Sequence, residues 1–402
     1  MLKHAVAQGL MAQGTDVIDI GMTGSEEMYF ATRFLQADGG IEITASHNPI
    51  NYNGMKIVGR DARPVSRDSG LNDVKRLAER NLFSEAAHAG QYQLISNRDA
   101  YISHLLSYLK PQIWKPLRVV VNAGNGAAGP TLDALEQAFR ACDIPLTLIK
   151  IHHAPDGTFP HGIPNPMLPE NRHATQAAIL EHHADIGIAW DGDFDRCFIF
   201  DEQGHYVEAY YIVGLLAALF LQHAPGEKIL HDPRLVWNTR EIVQAHQGIA
   251  METKTGHAFI KERMRSEEAI YGGEMSAHHY FREFGYCDSG MIPALLVLQH
   301  LSQSGQKMSE LIAARQALFP VSGELNLSVS NPAAVIARVR EHYQHQALTL
   351  SETDGLSLEF AQWRFNLRSS NTEPLLRLNV ESRHSSALLA QSTQALLTLI
   401  SA

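Results

Sequence analysis

Residues capable of catalysis cluster in short polar segments that follow apolar, strand-like sequence. The first is TASHNP, residues 44–49, which comes directly after the apolar segment Gly40–Ile43. Because Asn-Pro favours a turn, the hydroxyl of Ser46 would be presented at the exposed end of a strand. Lys56 follows seven residues after Pro49 and supplies a cation that could meet a phosphate. Taken alone, an ordinary turn is the simpler interpretation of this segment.

A second segment, DGDFDR, has aspartates at alternate positions between two apolar segments. If the chain stays near-extended, the side chains of Asp191, Asp193 and Asp195 point to one side. Three converging carboxylates repel one another, so at least one would take up a proton unless a cation is bound. Oxygen-only ligands suit Mg²⁺ or Ca²⁺, and Mg²⁺ commonly keeps few protein ligands and shares a substrate phosphate. The alternative is an acidic β-turn followed by Arg196.

Two further segments carry groups suited to binding a phosphorylated sugar. In GGEMSAHHYF, the alternating residues Glu274, Ser276 and His278 could line one wall of a pocket. A site built to hydrogen-bond a sugar hydroxyl discriminates strongly, and a histidine can act as a general base. In RSSNTEP, the guanidinium of Arg368 and the neutral donors that follow it suit a phosphate. A structural loop and a polar hairpin are the respective alternatives.

Two other segments carry weaker signals. TKTGHAFIKERM would place His257 and Lys261 on one face of a helix, provided that the helix has begun by His257. The glycine-rich NAGNGAAGP has neither the GK[ST] ending of a P-loop nor the GxGxxG spacing of a dinucleotide site. We therefore interpret it as a tight strand-to-helix turn.

The surrounding sequence alternates short apolar strands with helical segments. LRVVVN, LTLIKI and ADIGIAW are typical of strands, while TLDALEQAFRA and HATQAAILEHH have helical spacing. This alternation predicts parallel or mixed sheets covered by helices. The C-terminal segment differs, because GELNLSV, LSLEFAQWRFNLRS and LLRLNVES predict strands of a smaller α+β domain.

Bulk composition excludes several classes of protein. The chain has 402 residues, 45% hydrophobic and 19% charged, which is ordinary globular composition and enough for about two to four domains. A net charge of -10 disfavours binding to nucleic acids or anionic membranes. The longest apolar stretch, around Ile212 to Leu221, is too short to span a bilayer. Cys142, Cys197 and Cys287 form no CxxC pair, which favours reduced thiols in a cytoplasmic protein.

The four polar segments, in this order and spacing, closely resemble the motifs of the α-D-phosphohexomutase family, and of its bacterial phosphomannomutase branch. The likeness covers essentially the whole chain. It implies a heart-shaped α/β protein around a central cleft, with three tandem α/β domains with mixed sheets and a smaller C-terminal α+β domain. We expect a phosphoserine domain (1–98), a metal-binding domain (99–205), a sugar-recognition domain (206–320) and a C-terminal phosphate-binding domain (321–402).

The resemblance also implies roles for individual residues. Ser46 would carry the phosphoryl group, and the metal site for Mg²⁺ would consist of Asp191, Asp193, Asp195 and an oxygen of phosphorylated Ser46. The residues at implied catalytic positions are Ser46, His47, Lys56, Arg196, His257 and His278. Arg196 would contact phosphate, while Lys56 and His278 would transfer protons. The implied substrate-binding residues are Glu274 and Ser276 for the sugar hydroxyls, and Arg368, Ser370, Asn371 and Thr372 for the non-reacting phosphate.

The implied activity is the interconversion of mannose 6-phosphate and mannose 1-phosphate through a hexose 1,6-bisphosphate, which would also act as activator. Such an enzyme would feed GDP-mannose and polysaccharide synthesis as a cytoplasmic monomer or homodimer, binding small sugar phosphates but neither nucleic acid nor membrane. A phosphoglucomutase or dual-specificity enzyme is the nearest alternative, because glucose and mannose differ only at C2. A phosphatase with Asp191 as nucleophile would leave TASHNP and RSSNTEP unexplained.

The N-terminus departs from the family pattern. The family begins with a strand and a loop carrying a D-x-R-G motif, and neither precedes the first helical segment here. We therefore expect an incomplete first domain, and an inactive remnant that still binds phosphosugars is a further alternative.

Overall fold

Strands and helices alternate along most of the chain, as the sequence pattern predicts. The computed structural model describes residues 1–81, 83, 86–110, 114–370 and 375–401. Residues 1–205 contain α1 (Leu2–Ala12), β1 (Val17–Asp19), α2 (Ser25–Phe34), β2 (Gly39–Ile43), β3 (Met55–Gly59), α3 (Leu71–Arg80), β4 (Tyr92–Leu94), α4 (Arg98–Leu106), β5 (Leu117–Asn122), α5 (Ala128–Ala141), β6 (Leu146–Ile151), α6 (His173–His182), β7 (Ile186–Trp190) and β8 (Cys197–Phe200). Residues 206–305 contain β9 (Tyr206–Val207), α7 (Ala209–Leu221), β10 (Lys228–His231), α8 (Trp237–Ala245), β11 (Ile249–Glu252), α9 (His257–Glu267), β12 (Tyr271–Gly273), β13 (His279–Phe281), β14 (Cys287–Asp288) and α10 (Met291–Ser304). The remainder contains α11 (Met308–Leu318), β15 (Val321–Ser328), α12 (Pro332–Tyr343), β16 (Thr349–Ser351), β17 (Leu356–Glu359), β18 (Trp363–Ser369), β19 (Leu375–Ser382) and α13 (Ser386–Ser401).

These elements divide into two compact units. Unit 1 consists of Met1–His205 and Glu283–Gly305, and unit 2 consists of Tyr206–Arg282 and Gln306–Ala402. Unit 1 therefore contains the TASHNP and DGDFDR segments, whereas unit 2 contains GGEMSAHHYF and RSSNTEP.

A mixed sheet with the strand order β6-β5-β7-β8 forms the centre of unit 1. β5 pairs in parallel with β6 and with β7, and β7 pairs antiparallel with β8. Every residue of β7 and β8 is buried, as expected for strands in the core of an α/β layer. Because the apolar side chains fix both strands in the core, the DGDFDR segment that connects them starts and ends at fixed points.

A buried carboxylate connects helices α2 and α4 of unit 1. Glu26, in the first turn of α2, is fully buried, and a buried carboxylate needs hydrogen-bond donors. It accepts hydrogen bonds from the hydroxyl of Tyr101 in α4 and, at 2.6 Å, from the N–H of Gly290 just before α10. Burial raises the pKa of Glu26 to about 8, although these donors favour its ionised form. Glu26 thus connects α2, α4 and the segment that precedes α10.

Unit 2 contains two sheets of different kinds. In the first, β10 lies between the parallel strands β11 and β12, and β12 pairs antiparallel with β13. The second is wholly antiparallel, with the order β15-β19-β18-β17-β16. Leu376, Leu378 and Val380 of β19 pack in the core of this second sheet with Val339 of α12 and Leu396 of α13. An antiparallel sheet with helices packed against it is the α+β arrangement predicted for the C-terminal segment.

One predicted strand is wrong in its extent. We predict LSLEFAQWRFNLRS as a single strand, but it folds into a hairpin in which β17 pairs antiparallel with β18 and Glu359 lies opposite Arg364. The N–H of Phe360 donates to the carbonyl oxygen of Trp363 at 2.9 Å and closes the turn. The turn residues include no glycine, proline, asparagine or aspartate, so the usual composition signal for a turn is missing.

The architecture otherwise confirms the predicted fold class, an α/β fold with mixed sheets and a smaller C-terminal α+β part. Helices form at the predicted segments TLDALEQAFRA and HATQAAILEHH, and strands at LRVVVN, LTLIKI and ADIGIAW. Within the described ranges, no helix has both the length and the apolar character that crossing a bilayer requires.

The raised pKa of Glu26 predicts a specific pH dependence of stability. A carboxyl with a pKa of about 8 in the folded protein and 4.5 in the unfolded chain releases its proton on unfolding. The free energy of unfolding therefore falls as the pH rises from about 4.5 to about 8. We expect Glu26→Gln to remove on the order of 5 kcal/mol of this decrease, measured by urea unfolding at a series of pH values. Glu79→Gln, at an exposed carboxyl of α3, should keep the wild-type pH profile. Parallel profiles for the wild type and Glu26→Gln would contradict the assignment.

Candidate active site

The TASHNP segment forms a tight turn directly after β2. The N–H of Ser46 donates to Thr44 Oγ1 at 2.8 Å, and the N–H of Asn48 donates to the Ala45 carbonyl oxygen at 3.0 Å. Ser46 has a φ of 53°, a left-handed conformation that is uncommon for a residue other than glycine and that often marks a functional site. Its hydroxyl is half-buried and donates to Asp191 Oδ2 at 3.1 Å. The predicted turn and the predicted presentation of Ser46 are thus observed, and Ser46 lies against the DGDFDR segment.

The DGDFDR segment brings its three carboxylates together, although by a different geometry from the one we predict. It is not near-extended, because Phe194 has a φ of 43° and its N–H donates to the Asp191 carbonyl oxygen at 3.1 Å. Asp191, Asp193 and Asp195 are all buried, and each offers a carboxylate oxygen within 4.8 Å of the others. A turn stabilised by the burial of the Phe194 ring therefore produces the convergence that simple strand alternation was expected to give.

A glycine allows the two segments to touch. A Cβ atom on Gly192 would lie 2.1 Å from the carbonyl oxygen of Ser46, which is too close for any other residue. Because the contact is with the backbone, no side-chain movement could relieve it. The second residue of DGDFDR must therefore be glycine if the serine and the aspartates are to stay in contact.

Two cationic side chains neutralise part of the acidic cluster. Lys56 Nζ, in β3, lies 2.7 Å from Asp193 Oδ2 and also contacts Asp195. Burial alone would lower the pKa of Lys56, but the carboxylates of Asp193 and Asp195 outweigh it and raise the pKa. Burial likewise would raise the pKa of Asp193, but Lys56 holds that pKa well below its usual range. Arg196 donates from Nε to Asp191 Oδ2 at 2.9 Å, and its guanidinium also contacts His47.

The donor set fits a hard divalent cation. Even without the nearby Asp288, whose carboxylate oxygen lies within 4.8 Å of that of Asp195, three carboxylates against two cationic side chains leave at least one negative charge in this site. Asp193 Oδ1 is buried, and no hydrogen bond from the described residues reaches it. An uncompensated carboxylate oxygen in this environment is costly unless a cation binds it. The all-oxygen set of Asp191, Asp193, Asp195 and the Ser46 hydroxyl therefore suits Mg²⁺.

In unit 2, the sugar-binding and phosphate-binding candidates meet around one arginine. Arg234 is buried, and its Nη2 lies 3.7 Å from Glu274 Oε1 and donates to Ser276 Oγ at 3.3 Å. Its Nη1 donates at 3.3 Å to Glu324 Oε2, which also accepts from Arg368 Nη2 at 3.3 Å. The structure therefore brings Glu274, Ser276 and Arg368 together through Arg234 and Glu324.

Sequence reasoning missed Arg234 and Glu324, and a signal was available for only one of them. Arg234 follows β10, a parallel strand, and ligand-binding residues commonly lie beyond the carboxyl ends of such strands. Asp232, two residues earlier, accepts from Arg234 Nη2 at 2.8 Å and fixes its orientation. Glu324 lies in β15 among alternating residues, and nothing in its local sequence distinguishes it.

The GGEMSAHHYF segment also has a different conformation from the one expected, in which alternating residues of a strand line one wall of a pocket. It is the turn between β12 and β13, with Ala277 at a φ of 70°. The N–H of Glu274 donates to the His278 carbonyl oxygen at 2.9 Å, so the ends of the turn are close together. Glu274 and Ser276 therefore reach Arg234 from a hairpin turn and not from alternate positions of a strand.

The remaining candidates are placed as follows. His257 is the first residue of α9, so the helix has begun at the position where His257 and Lys261 would share a face, and Lys261 is fully buried. The N–H of Ser370 donates to the Leu375 carbonyl oxygen at 2.8 Å and closes the hairpin between β18 and β19. Asn371 and Thr372 lie outside the described residues.

Arg368 has a donor that suits an anion. It is buried, and its Nε makes no hydrogen bond to any residue in the described part of the chain. Burial and the neighbouring Arg234 lower the pKa of Arg368, because both disfavour its charge. An anion accepting from Nε would relieve both effects, which agrees with the predicted phosphate-binding position.

Comparison with known proteins assigns the family. Residues 1–85, 99–204, 208–319 and 324–398 match, in order, alpha/beta/alpha domains I, II and III and the C-terminal domain of phosphoglucomutase/phosphomannomutase. The chain belongs to the phosphoglucomutase/phosphomannomutase family. The resemblance found in the four motifs is thereby confirmed.

Individual members of this family cover nearly the whole chain. A phosphomannomutase of Salmonella montevideo is 60% identical over 401 residues, covering 99% of this chain and 88% of the relative. A phosphomannomutase of Escherichia coli strain K12 is 58% identical with the same coverage. The crystal structure of a phosphoglucomutase/phosphomannomutase family protein from Burkholderia thailandensis is 30% identical, with a TM-score of 0.87, and the match covers 99% of this chain and 85% of that one.

The ammonium group of Lys56 lies between Asp193 and Asp195, so its loss is expected to make stability depend on Mg²⁺. Lys56→Met keeps the length of the side chain but leaves buried carboxylates without their partner. In the absence of divalent cations, we expect the free energy of unfolding to fall by on the order of 3 kcal/mol. Excess Mg²⁺ should recover part of this loss, because it neutralises the same carboxylates. Urea unfolding in EDTA and in Mg²⁺ measures both quantities.

A matched control is available on α3. Lys75→Met removes a cation whose ion pair with Glu79 is largely exposed, so stability should change by less than about 1 kcal/mol and should not depend on Mg²⁺. If Mg²⁺ stabilised Lys56→Met no more than the wild type, the proposed neutralisation would be wrong.

Proposed function

We propose that this chain is a phosphomannomutase, which interconverts mannose 6-phosphate and mannose 1-phosphate through a phosphoserine at Ser46. The observation that carries the proposal is the position of the Ser46 hydroxyl, 3.1 Å from Asp191 in a cluster of three buried carboxylates. Relatives named phosphomannomutase that are 56–60% identical over nearly the whole chain support the same conclusion. Enzymes that transfer phosphoryl groups work mainly by positioning and by neutralising charge, which is what this cluster can do.

The proposed cycle moves one phosphoryl group at a time. A free hydroxyl of the sugar phosphate attacks the phosphorus on Ser46, a new O–P bond forms, and the bond from phosphorus to Ser46 Oγ breaks. The attacking hydroxyl gives up its proton to a base, and Ser46 Oγ regains a proton. The hexose 1,6-bisphosphate then reorients, and its other phosphate returns to Ser46 by the reverse steps. One serine can thus serve both O1 and O6 of the sugar.

Unit 1 supplies the phosphoryl chemistry in this proposal. Asp191, Asp193, Asp195 and an oxygen on Ser46 would hold Mg²⁺, whose charge would offset that of the transferring phosphoryl group. Arg196 would contact the phosphate, and its position beside Asp191 and His47 keeps its guanidinium close to Ser46. Lys56 would move a proton in the transfer step.

Unit 2 binds the sugar phosphate in this proposal. Glu274 and Ser276 would bind sugar hydroxyls, and their shared contact with Arg234 supports a common task. Arg368 and Ser370 would hold the phosphate that is not reacting, together with Asn371 and Thr372. The Nε donor of Arg368, which bonds to none of the described residues, supports this role. His257 and His278 would take part in proton transfer or in orienting the substrate.

Several broader features belong to the same proposal. A hexose 1,6-bisphosphate would activate the enzyme by phosphorylating Ser46. The four domains would span residues 1–98, 99–205, 206–320 and 321–402. The protein would act on sugar phosphates in the cytoplasm, as a monomer or homodimer, and the free thiols of Cys142, Cys197 and Cys287 agree with a reducing compartment.

The alternatives are less well supported. A phosphoglucomutase or a dual enzyme would use the same site, but the relatives at 56–60% identity carry the name phosphomannomutase. A phosphatase with Asp191 as nucleophile is not favoured, since it would give no role to the Ser46 hydroxyl that lies 3.1 Å from Asp191. An inactive remnant is also less well supported, because its function would not require the uncommon left-handed conformation that places Ser46 against the acidic cluster.

The proposal is tested by measuring both turnover and phosphorylation. We expect the purified protein, with Mg²⁺ and glucose 1,6-bisphosphate, to convert mannose 1-phosphate to mannose 6-phosphate. Intact-protein mass spectrometry with peptide mapping should locate a phosphoryl adduct on Ser46. Ser46→Ala should abolish both the adduct and the turnover, because no other group receives the phosphoryl.

Ser103→Ala removes an exposed hydroxyl of α4 and should leave both readouts unchanged. Turnover by Ser46→Ala at a substantial fraction of the wild-type rate would contradict the proposed mechanism. A higher kcat/KM for glucose 1-phosphate than for mannose 1-phosphate would favour the phosphoglucomutase alternative.

The phosphate-binding role of Arg368 has a separate test. Arg368→Ala removes a charge-assisted hydrogen bond, which costs about 1.5–3 kcal/mol of binding free energy. The KM for mannose 6-phosphate should therefore rise on the order of 10-fold to 100-fold, and calorimetric binding of mannose 6-phosphate should weaken in parallel. Arg340→Ala, whose partner Glu352 is exposed, is a control that should leave both values unchanged. An unchanged KM in Arg368→Ala would remove this arginine from the phosphate site.

A further inference from the structure

The first residue of α2 bonds directly to the acidic cluster. Ser25 is fully buried, and its hydroxyl donates to Asp193 Oδ2 at 2.7 Å. The same hydroxyl accepts a hydrogen bond from Lys56 Nζ at 2.9 Å. Its backbone N–H also donates to the Asp193 carbonyl oxygen at 3.1 Å. Ser25 therefore holds Asp193 by both its side chain and its backbone.

These contacts make the two oxygens of Asp193 unequal. Oδ2 accepts hydrogen bonds from Ser25, from Lys56 at 2.7 Å and from Thr44 Oγ1 at 3.2 Å. Oδ1 is buried and accepts none from the residues that the structure describes. A carboxylate oxygen with three donors has no lone pair left for a cation, whereas Oδ1 has all of its own. The hydroxyl of Ser25 makes the shortest side-chain hydroxyl contact among the three donors that hold Oδ2 and leave Oδ1 available.

The backbone around Ser25 is fixed by the same segment. Gly24, which precedes it, lies so close to DGDFDR that a Cβ would be 2.5 Å from the Asp193 carbonyl oxygen and 2.2 Å from the Phe194 ring. The start of α2 and the DGDFDR turn therefore form one packed body. A hydroxyl at position 25 has little freedom to bond elsewhere.

We propose that Ser25 is a positioning residue of the metal site, which fixes Asp193 together with Lys56 and Thr44 so that Oδ1 is left to bind the divalent cation. The proposal deepens the proposed function and rests on it, because it assumes that the acidic cluster binds Mg²⁺. Partners that orient a metal ligand without touching the metal typically change metal affinity on the order of 10-fold to 100-fold when they are removed.

The hydroxyl of Ser25 could instead serve to stabilise helix α2, but the geometry at the start of the helix argues against this role. Ser25 is the first residue inside α2, whereas Gly24 occupies the capping position and no side-chain cap bond is present there. Alanine is at least as favourable as serine inside a helix. Ser25→Ala is therefore expected to fold and to keep α2.

The test measures metal binding directly. Mn²⁺, which is paramagnetic and also prefers oxygen ligands, is titrated into the full-length protein and the free ion is counted by electron paramagnetic resonance. We expect Ser25→Ala to weaken Mn²⁺ binding at least about 10-fold, and Ser25→Thr, which restores a hydroxyl, to recover most of the loss. The KM for mannose 6-phosphate should stay within about twofold, because the sugar phosphate is bound by other residues.

Thr32→Val is the matched control, since it removes another buried hydroxyl of α2 that bonds to Met28 of its own helix. It should bind Mn²⁺ like the wild type. Equal Mn²⁺ affinities for the wild type and Ser25→Ala would overturn the inference and leave the proposed function intact. Ser25→Thr binding as weakly as Ser25→Ala would assign the effect to packing and would also overturn it. A wild-type protein that binds no Mn²⁺ would overturn the proposed metal site and this inference with it.

Discussion

The need to neutralise three buried carboxylates governs the structure around Ser46. Asp191, Asp193 and Asp195 cannot remain ionised together in a buried site without cations and donors. Lys56 and Arg196 each meet part of this need, Lys56 at Asp193 and Arg196 at Asp191, which also accepts from the Ser46 hydroxyl. The same arrangement leaves at least one negative charge uncompensated, and no described residue donates a hydrogen bond to Asp193 Oδ1. A site that is almost but not fully neutralised by protein groups is suited to a divalent cation, and it also keeps a reactive hydroxyl beside positive charge.

Backbone contact makes this arrangement rigid. The carbonyl oxygen of Ser46 lies against Gly192, and the start of α2 lies against Asp193 through Gly24. Each contact joins a turn to a neighbouring element whose own position is fixed by buried strands or helices. Because the contacts are made by backbone atoms, side-chain rotation cannot loosen them. The hydroxyl of Ser46 and the acidic cluster are therefore held at a fixed separation, which phosphoryl transfer requires more than it requires any particular acid or base.

The fold and the acidic cluster could be predicted from local sequence, whereas the contacts across the fold could not. Strand and helix periodicity gave the α/β architecture, and the spacing of Asp191, Asp193 and Asp195 gave their convergence. The actual turn at Phe194 was missed because a left-handed residue other than glycine has no composition signal. Arg234 was missed although its place after the parallel strand β10 was a signal. Ser25 and Glu324 were missed for a different reason, since each bonds to residues distant in sequence. Their role exists only in three dimensions, and a single sequence carries no record of it.

The two units contain different charged clusters. In unit 1 the acidic groups outnumber the cationic ones, and the arrangement favours a cation. In unit 2, Glu324 is shared by Arg234, Arg368 and Arg377, and these arginines hold the pKa of Glu324 below its usual range although burial would raise it. Arg234 also contacts Asp232 and Glu274, whereas Arg368 Nε makes no hydrogen bond to any described residue. Glu324 therefore keeps the arginines together, and the Nε donor of Arg368 suits a group with more oxygens, such as the phosphate that we propose to bind there.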